Sequence, residues 1–280
     1  MNVESQVAAT ALTADLPAIS ISAKVSVIMP SHNHARFIER AVHSVLAQTY
    51  SNVELIVIDD GSCDDTVHRL RPLADEHGFR LIEQANVGVC ATLNRGVREF
   101  ATGEWIGLLA SDDFWAPDKL RLQLEALAQA PASRFVYSQA VEFTDDIRPE
   151  KGRVFPRSTF DGSVLDRVFI RQGVPAGTMV FARSLYDEIG GFDTNLKEED
   201  WDFVIRSAAA TPFTVVSVPL LYYRSHAGNT MKVSARTSIF QQKAKILAKN
   251  FHLVSPWRWL IAMLVHFVHD VGLDWVRRNR

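Results

Sequence analysis

The 280-residue sequence predicts an α/β fold, a mainly parallel sheet flanked by helices with a helical C-terminal extension. Three observations carry this expectation. Short, wholly apolar runs alternate with segments of helical periodicity between residues 25 and 138, the rhythm of β/α units whose strands are buried on both faces. Two of the runs end in carboxylates, Asp59-Asp60-Gly61-Ser62 and Ser111-Asp112-Asp113, and strand ends are where open α/β sheets bind ligands. The length suffices for one large domain with a substantial core.

Val25 to Met29 is a compact apolar run ending at Pro30 and reads as a buried first strand. Phe37, Ile38, Ala41, Val42, Val45 and Leu46 follow at helical spacing and predict an amphipathic helix. Val53 to Ile58 predicts a second strand, closed by Asp59 and Asp60. Ser62 is then placed to cap a helix whose first turn holds Asp64 and Asp65. A short strand at Arg80 to Glu83 precedes a helix with Val89, Leu93, Val97 and Phe100 on one face. Trp105 to Leu109 is the fourth strand, a helix from Pro117 carries Leu120, Leu124 and Leu127, and Arg134 to Ser138 reads as a strand again. After about residue 140 the rhythm breaks in a polar stretch, Thr144 to Arg153. Beyond it lie a strand at Thr178 to Phe181, a turn at Gly190-Gly191, a helix from Asp200 to Ala209 and a strand at Phe213 to Val218. This half is expected to complete the site and receive a second substrate.

Lys plus Arg is 30 against 32 for Asp plus Glu, a balance that argues against broad electrostatic binding to nucleic acid. Cys63 and Cys90 show no zinc-type spacing and read as reduced thiols of a cytoplasmic protein. Residues 1–23, rich in Ala, Ser and Thr but interrupted by Glu4 and Asp15, make a poor signal peptide and a disordered tail. Trp259 to His269 carries no Asp, Glu, Lys or Arg, yet it is far shorter than the roughly 20 residues that cross a bilayer. Trp257, Trp259 and Trp275 with Arg258, Arg277 and Arg278 suit an amphipathic helix at the inner face of the cell membrane, and equally a terminal helix packed on the domain.

Dinucleotide and P-loop signatures are missing. The first strand instead ends in Pro30-Ser31-His32-Asn33 and the second in a double Asp. A carboxylate there can accept from a nucleobase N–H or ribose hydroxyls, or it can cap the following helix. Asp112 and Asp113 repel each other unless a cation or donor compensates, which Mg²⁺ or Mn²⁺ completed by diphosphate oxygens would do. Glu198-Glu199-Asp200 precedes a predicted helix and offers either a general base or a plain N-terminal cap. Tyr223-Arg224-Ser225-His226 adds side chains that bind anions, and a histidine that can also ligate metal.

Taken in order, these segments resemble the family-2 glycosyltransferases. The matching pieces are Val25 to Asn33, Ser44 to Thr49, Glu54 to Ser62, Asn86-Val87-Gly88, Asn94-Arg95-Gly96, Ser111-Asp112-Asp113, Gly190-Gly191-Phe192-Asp193 and Glu199-Asp200, spread over about residues 24–230. The resemblance implies a GT-A type, Rossmann-like sheet over residues 24–232. Residues 24–140 would be the nucleotide-sugar half, 141–232 the acceptor and catalytic half, and 233–280 a helical extension. It implies that Pro30, His32, Asn33 and Asp60 hold the nucleotide, that Asp112 meets the ribose and Asp113 the Mg²⁺ or Mn²⁺, and that Arg224 or His226 steadies the diphosphate. Asp200 would be the catalytic base of an inverting transfer onto a glycan or lipid-linked acceptor, in bacterial surface polysaccharide synthesis. Ala110 stands where many members carry a further carboxylate, and His32 where an aromatic is common. The multi-span segment and Gln-x-x-Arg-Trp motif of processive synthases are missing, which points to single addition. Competing expectations are a sugar-phosphate nucleotidyltransferase, disfavoured because Pro30 to Arg36 is no glycine-rich basic loop, and a noncatalytic nucleotide-sugar binder.

Overall fold

A computed structural model of the chain describes residues 22–145, 148–196, 199–226, 228–229 and 236–272. Most of the expected tail, Glu198, Ala227, Thr230, Trp275, Arg277 and Arg278 lie outside the described residues. The strands are β1 (Val25–Ser31), β2 (Val53–Asp60), β3 (Arg80–Gln84), β4 (Trp105–Leu108), β5 (Phe114–Trp115), β6 (Phe135–Phe143), β7 (Arg153–Phe155), β8 (Val180–Ala182) and β9 (Phe213–Arg224). The α-helices are α1 (Ile38–Leu46), α2 (Thr66–His77), α3 (Val89–Arg95), α4 (Lys119–Ala128), α5 (Leu165–Ile170), α6 (Arg183–Ile189), α7 (Glu199–Ala210), α8 (Arg236–Lys249) and α9 (Pro256–Phe267).

One sheet runs β3-β2-β1-β4-β8-β6-β9-β5, with β7 on β6. Its first half is parallel, β1 lying between β2 and β4 and β2 beside β3. Val25, Val27, Ile28 and Met29 have 0% exposure, which is why β1 is an unbroken apolar run rather than an alternating one. Chain order reverses at β1, so a crevice opens beyond the carboxyl ends of β1, β2 and β4, the usual ligand position in such sheets. The second half mixes directions: β6 runs parallel to β9, while β8, β7 and β5 pair antiparallel.

Several sequence expectations shift. Ser62 does not cap α2; that helix opens at Asp65, and Asp64 Oδ1 accepts from the Thr66 N–H at 3.0 Å. Thr178 belongs to a 3-10 turn, and the strand begins at Val180. α3 continues as a π-helix over Gly96–Phe100, where a Cβ on Gly96 would stand 2.6 Å from Ile28 Cγ2, so only glycine lets this helix lie on β1. The sequence places a strand at Phe213 to Val218, short of Pro219, which lacks the ladder N–H. β9 instead absorbs Pro219 at a register shift against β6, Ser138 pairing Val216, Gln139 pairing Pro219 and Ala140 pairing Leu221. The strand therefore runs on to Arg224.

Lys119 is fully buried on the apolar face of α4. Burial drives its amine well below the usual lysine range, and Nζ donates to Gln123 Oε1 at 2.7 Å over the ring of Trp115. A second apolar cluster joins Phe169, Trp201, Ile205, Ile246, Leu247 and Ala262, docking α8 and α9 on α5 and α7. His266 of α9 packs 4.8 Å from the ring of Trp201 and its Nε2 contacts the Ile170 carbonyl at 3.0 Å. Burial first, then Lys243, holds this imidazole neutral with a pKa lowered to about 4. The opposite face of α9 is open: Trp257 is 72% exposed and Leu264 63%, beside Leu260 and Phe267.

Candidate active site

The loops after β1 and β2 are knitted together. Asn33 has φ +55°, a left-handed backbone that asparagine tolerates better than most residues. Its N–H donates to Ser62 Oγ at 2.8 Å while its Oδ1 accepts from the Cys63 N–H at 2.7 Å. Ser62 in turn donates to Asp59. Asp60 is 5% exposed; Oδ1 accepts from Gln84 Nε2 and the Val87 N–H, and Oδ2 from the Gly88 N–H. Burial opposes its charge, but these donors outweigh burial and hold the carboxyl below the usual range. Neither Asp caps the following helix. His32 is exposed, its Nδ1 2.9 Å from the Asp60 carbonyl, and Asn86 reaches its ring from the opposite wall. Pro30 is half-buried at the end of β1. Ser31 Oγ, buried opposite Asp59 in the ladder, has no hydrogen-bond partner among the described residues.

Antiparallel pairing of β5 with β9, Phe114 opposite Tyr222, brings the end of β9 beside the Asp112-Asp113 turn. Asp113, 4% exposed, accepts from the Arg224 N–H at 2.8 Å. Burial, then the charge of Asp112, pushes its carboxyl well up. Asp112 points the other way: its Oδ2 lies 3.0 Å from His226 Nε2 and 3.9 Å from His34 Nε2. These three side chains bring ligand atoms within 4.8 Å of one another, the one group of this kind among the described residues. Two imidazoles and a carboxylate suit a first-row transition metal ion, so of the two expected cations the donor set fits Mn²⁺. Asp113, the residue expected to hold it, is outside that group. Arg224 is 7% exposed; its guanidinium pairs with Asp145, lies over Phe37 and Phe143, and donates from Nε to the Asp112 carbonyl at 3.1 Å. It latches the acidic turn rather than standing open to an anion.

Asp200 sits in the first turn of α7, partly buried, with Oδ2 accepting from Gln172 Nε2 at 3.1 Å and Oδ1 from the Trp201 N–H at 2.8 Å. Burial raises its carboxyl above the ordinary range despite these donors. The Tyr223 phenol is pushed up to about 12, by burial first and then by the negative charges of Asp113, Asp112, Glu142 and Asp200. One ring thus senses carboxylates from β4's end, β6 and α7.

Sequence reasoning missed His34 and Gln172, and named Tyr223 within a motif without giving it a role. Only His34 carried a usable signal, two residues past His32 in the loop already singled out. Other matched motifs turn out to be scaffold. Asn94 accepts from Tyr186 Oη and the Phe192 N–H and donates to the Phe192 carbonyl. Gln48 holds the Ala116 carbonyl and the Leu120 N–H, and Ser44 Oγ accepts from the Trp115 N–H.

The sequence model of glycosyl transferase family 2 matches residues 26–190, more than half of the chain. The chain belongs to this family. An uncharacterized glycosyltransferase of Nostoc sp. is 29% identical over 79% of this chain and 70% of its own length. The Escherichia coli UDP-Glc:alpha-D-GlcNAc-diphosphoundecaprenol beta-1,3-glucosyltransferase is 36% identical over 40% of this chain and 44% of its own. Matches to the curated relatives span from 17% to 70% of their lengths. Staphylococcus aureus TarS, residues 1–349 in complex with UDP-GlcNAc, superposes with TM-score 0.71 at 18% identity, over 88% of this chain and 73% of that one. This family-2 glycosyltransferase therefore has the GT-A fold its sequence motifs imply.

Proposed function

We propose that the protein is an inverting glycosyltransferase that moves one sugar from a nucleotide-sugar donor to a hydroxyl of a glycan or lipid-linked acceptor, in bacterial surface polysaccharide synthesis. The observation that carries this reading is the open cluster of Asp112, His34 and His226 in a chain whose residues 26–190 match family 2. Pro30, His32, Asn33 and Asp60 form the nucleotide end, where Asp60 fixes the wall at Val87 and Gly88 against which the base rests. Asp112 and His226 would hold a divalent cation, which when bound neutralises charge on the departing diphosphate. Arg224 and Asp113 fix the height of that turn. Asp200, aimed by Gln172, takes the proton of the acceptor hydroxyl as its oxygen attacks the anomeric carbon. The glycosidic bond to the diphosphate breaks on the opposite face, the nucleoside diphosphate leaves with the electron pair, and the centre inverts.

Thermal shift against a panel of nucleotide sugars with Mn²⁺ tests the reading, because a ligand that binds only the folded state raises Tm by mass action. One sugar nucleotide is expected to stand out. Stabilisation by a sugar 1-phosphate with a nucleoside triphosphate, and by no sugar nucleotide, would point to nucleotidyl transfer instead.

No helix among the described residues is long and apolar enough to cross a membrane. The exposed row Trp257, Leu260, Leu264 and Phe267 on α9, followed in sequence by Trp275, Arg277 and Arg278, supports peripheral contact with an anionic bilayer where a lipid-linked acceptor would reside. Full-length protein should co-sediment with anionic vesicles, and the Leu260→Glu/Leu264→Glu variant should stay in the supernatant with its Tm unchanged. Equal sedimentation of both sinks the contact.

A further inference from the structure

We propose that His34 is a metal ligand, making the cation site a two-imidazole, one-carboxylate centre that prefers Mn²⁺, Co²⁺ and Zn²⁺ over Mg²⁺. The inference rests on the donor-site reading above and deepens it. The turn after β4 reads Ala110-Ser111-Asp112-Asp113, so Asp112 and Asp113 are its acidic groups. Asp113 is turned inward to the Arg224 N–H. A site of Asp112 and His226 alone would be thin for a divalent ion.

His34 fills the gap from the opposite side. It belongs to the loop after β1, which no sequence argument tied to metal, yet its Nε2 stands 3.9 Å from the same Asp112 oxygen that His226 approaches at 3.0 Å. Ligands about 2.1 Å from a common ion lie roughly 3.0–3.4 Å apart in adjacent positions. The His226 spacing already satisfies this, and a side-chain shift of under about 1 Å brings His34 in. The outer partners point the same way. His34 Nδ1 lies 2.7 Å from Ser111 Oγ, the kind of contact that fixes ring orientation and tautomer in metal sites. Phe37 wedges against both imidazoles, 6.1 Å from His34 and 5.1 Å from His226 between ring centres. Side-chain exposures of 25%, 12% and 19% for His34, Asp112 and His226 leave an open side for diphosphate oxygens and water.

Two neutral imidazoles change which ion is preferred. Oxygen-only sites suit Mg²⁺, while nitrogen ligands favour first-row transition metals. Pulsed electron paramagnetic resonance on the full chain with one equivalent of Mn²⁺ counts the coupled ¹⁴N nuclei directly. Two directly bound imidazole nitrogens are expected in the parent protein and one in His34→Gln, with Mn²⁺ affinity falling about 10–100-fold and its advantage over Mg²⁺ shrinking. Ser111→Ala, which leaves the ligand in place but frees its ring, should weaken Mn²⁺ about tenfold. A single nitrogen in the parent, or no Mn²⁺ binding by the folded parent, overturns the proposal even if His34→Gln fails to fold. A protein that turns over a sugar nucleotide with a one-nitrogen site loses His34 as ligand and keeps the transferase reading. A two-nitrogen site in a protein that binds no sugar nucleotide does the reverse.

Discussion

Asp200→Asn should lower kcat by about 10³-fold while leaving nucleotide-sugar affinity within a factor of about two. Positioned general bases supply roughly 10²–10⁴ in rate, and the amide keeps the size of the side chain while removing its basicity. The donor groups, Asp60, Asp112 and His226, sit on other elements, so a thermal shift by the donor should persist. The pH profile carries a second signature. Burial raises the Asp200 carboxyl above its ordinary 3.8, so the acid limb of kcat/KM should fall above that value and disappear from the residual activity of the variant. Stability has the opposite sense. A carboxyl with a raised folded pKa binds its proton more readily in the native state than in the unfolded chain. Its contribution is therefore full at low pH and is lost as pH rises through the raised pKa. Parental kcat in Asp200→Asn would falsify the assignment of the base.

Asn94→Ala should destabilise the protein by about 3 kcal/mol. Asn94 is 6% exposed, and it serves the Phe192 N–H, the Phe192 carbonyl and Tyr186 Oη, the last of which Arg98 also reaches, all on buried residues. Each buried polar group left without a partner costs roughly 1–3 kcal/mol. Gly191 offers no relief: with φ +76° and a would-be Cβ 2.6 Å from Tyr186 Oη, its loop has little freedom to close the gap. For a domain of this size, Tm should drop by roughly 6–12 °C. Differential scanning calorimetry reads this directly, and a drop under about 2 °C would show that the three groups find other partners.

The strands and their order of burial were readable because β1, β2 and β4 are covered on both faces, and that leaves unbroken apolar runs. Asp112 stood out as a carboxylate at a strand end, whereas the local pattern of Asp200 fits a plain helix cap as well as a base, and only the family resemblance singled it out. Legibility failed wherever a role depends on a partner distant in sequence. Nothing local marks Asn94 or Gln48 as scaffold, since their partners lie 98 residues away at Phe192 and 72 at Leu120. Arg224 reads as an anion binder until β9 is seen to carry it into a cage of Phe37, Phe143 and Asp145. Adjacent Asp112 and Asp113 look interchangeable in sequence. A turn sends one outward to two histidines and the other inward to a backbone amide.

The last helix, α9, joins two properties that need not travel together. Its inner side reaches Trp201, the immediate neighbour of Asp200, through His266, whereas Trp257 and Leu264 face outward. On the proposed function, substitutions on the outer side would alter membrane contact without reaching Asp200, whereas changes at Ala262 or His266 would be felt one residue from the proposed base. Address and chemistry would then be written on opposite sides of a single short rod, open to separate change.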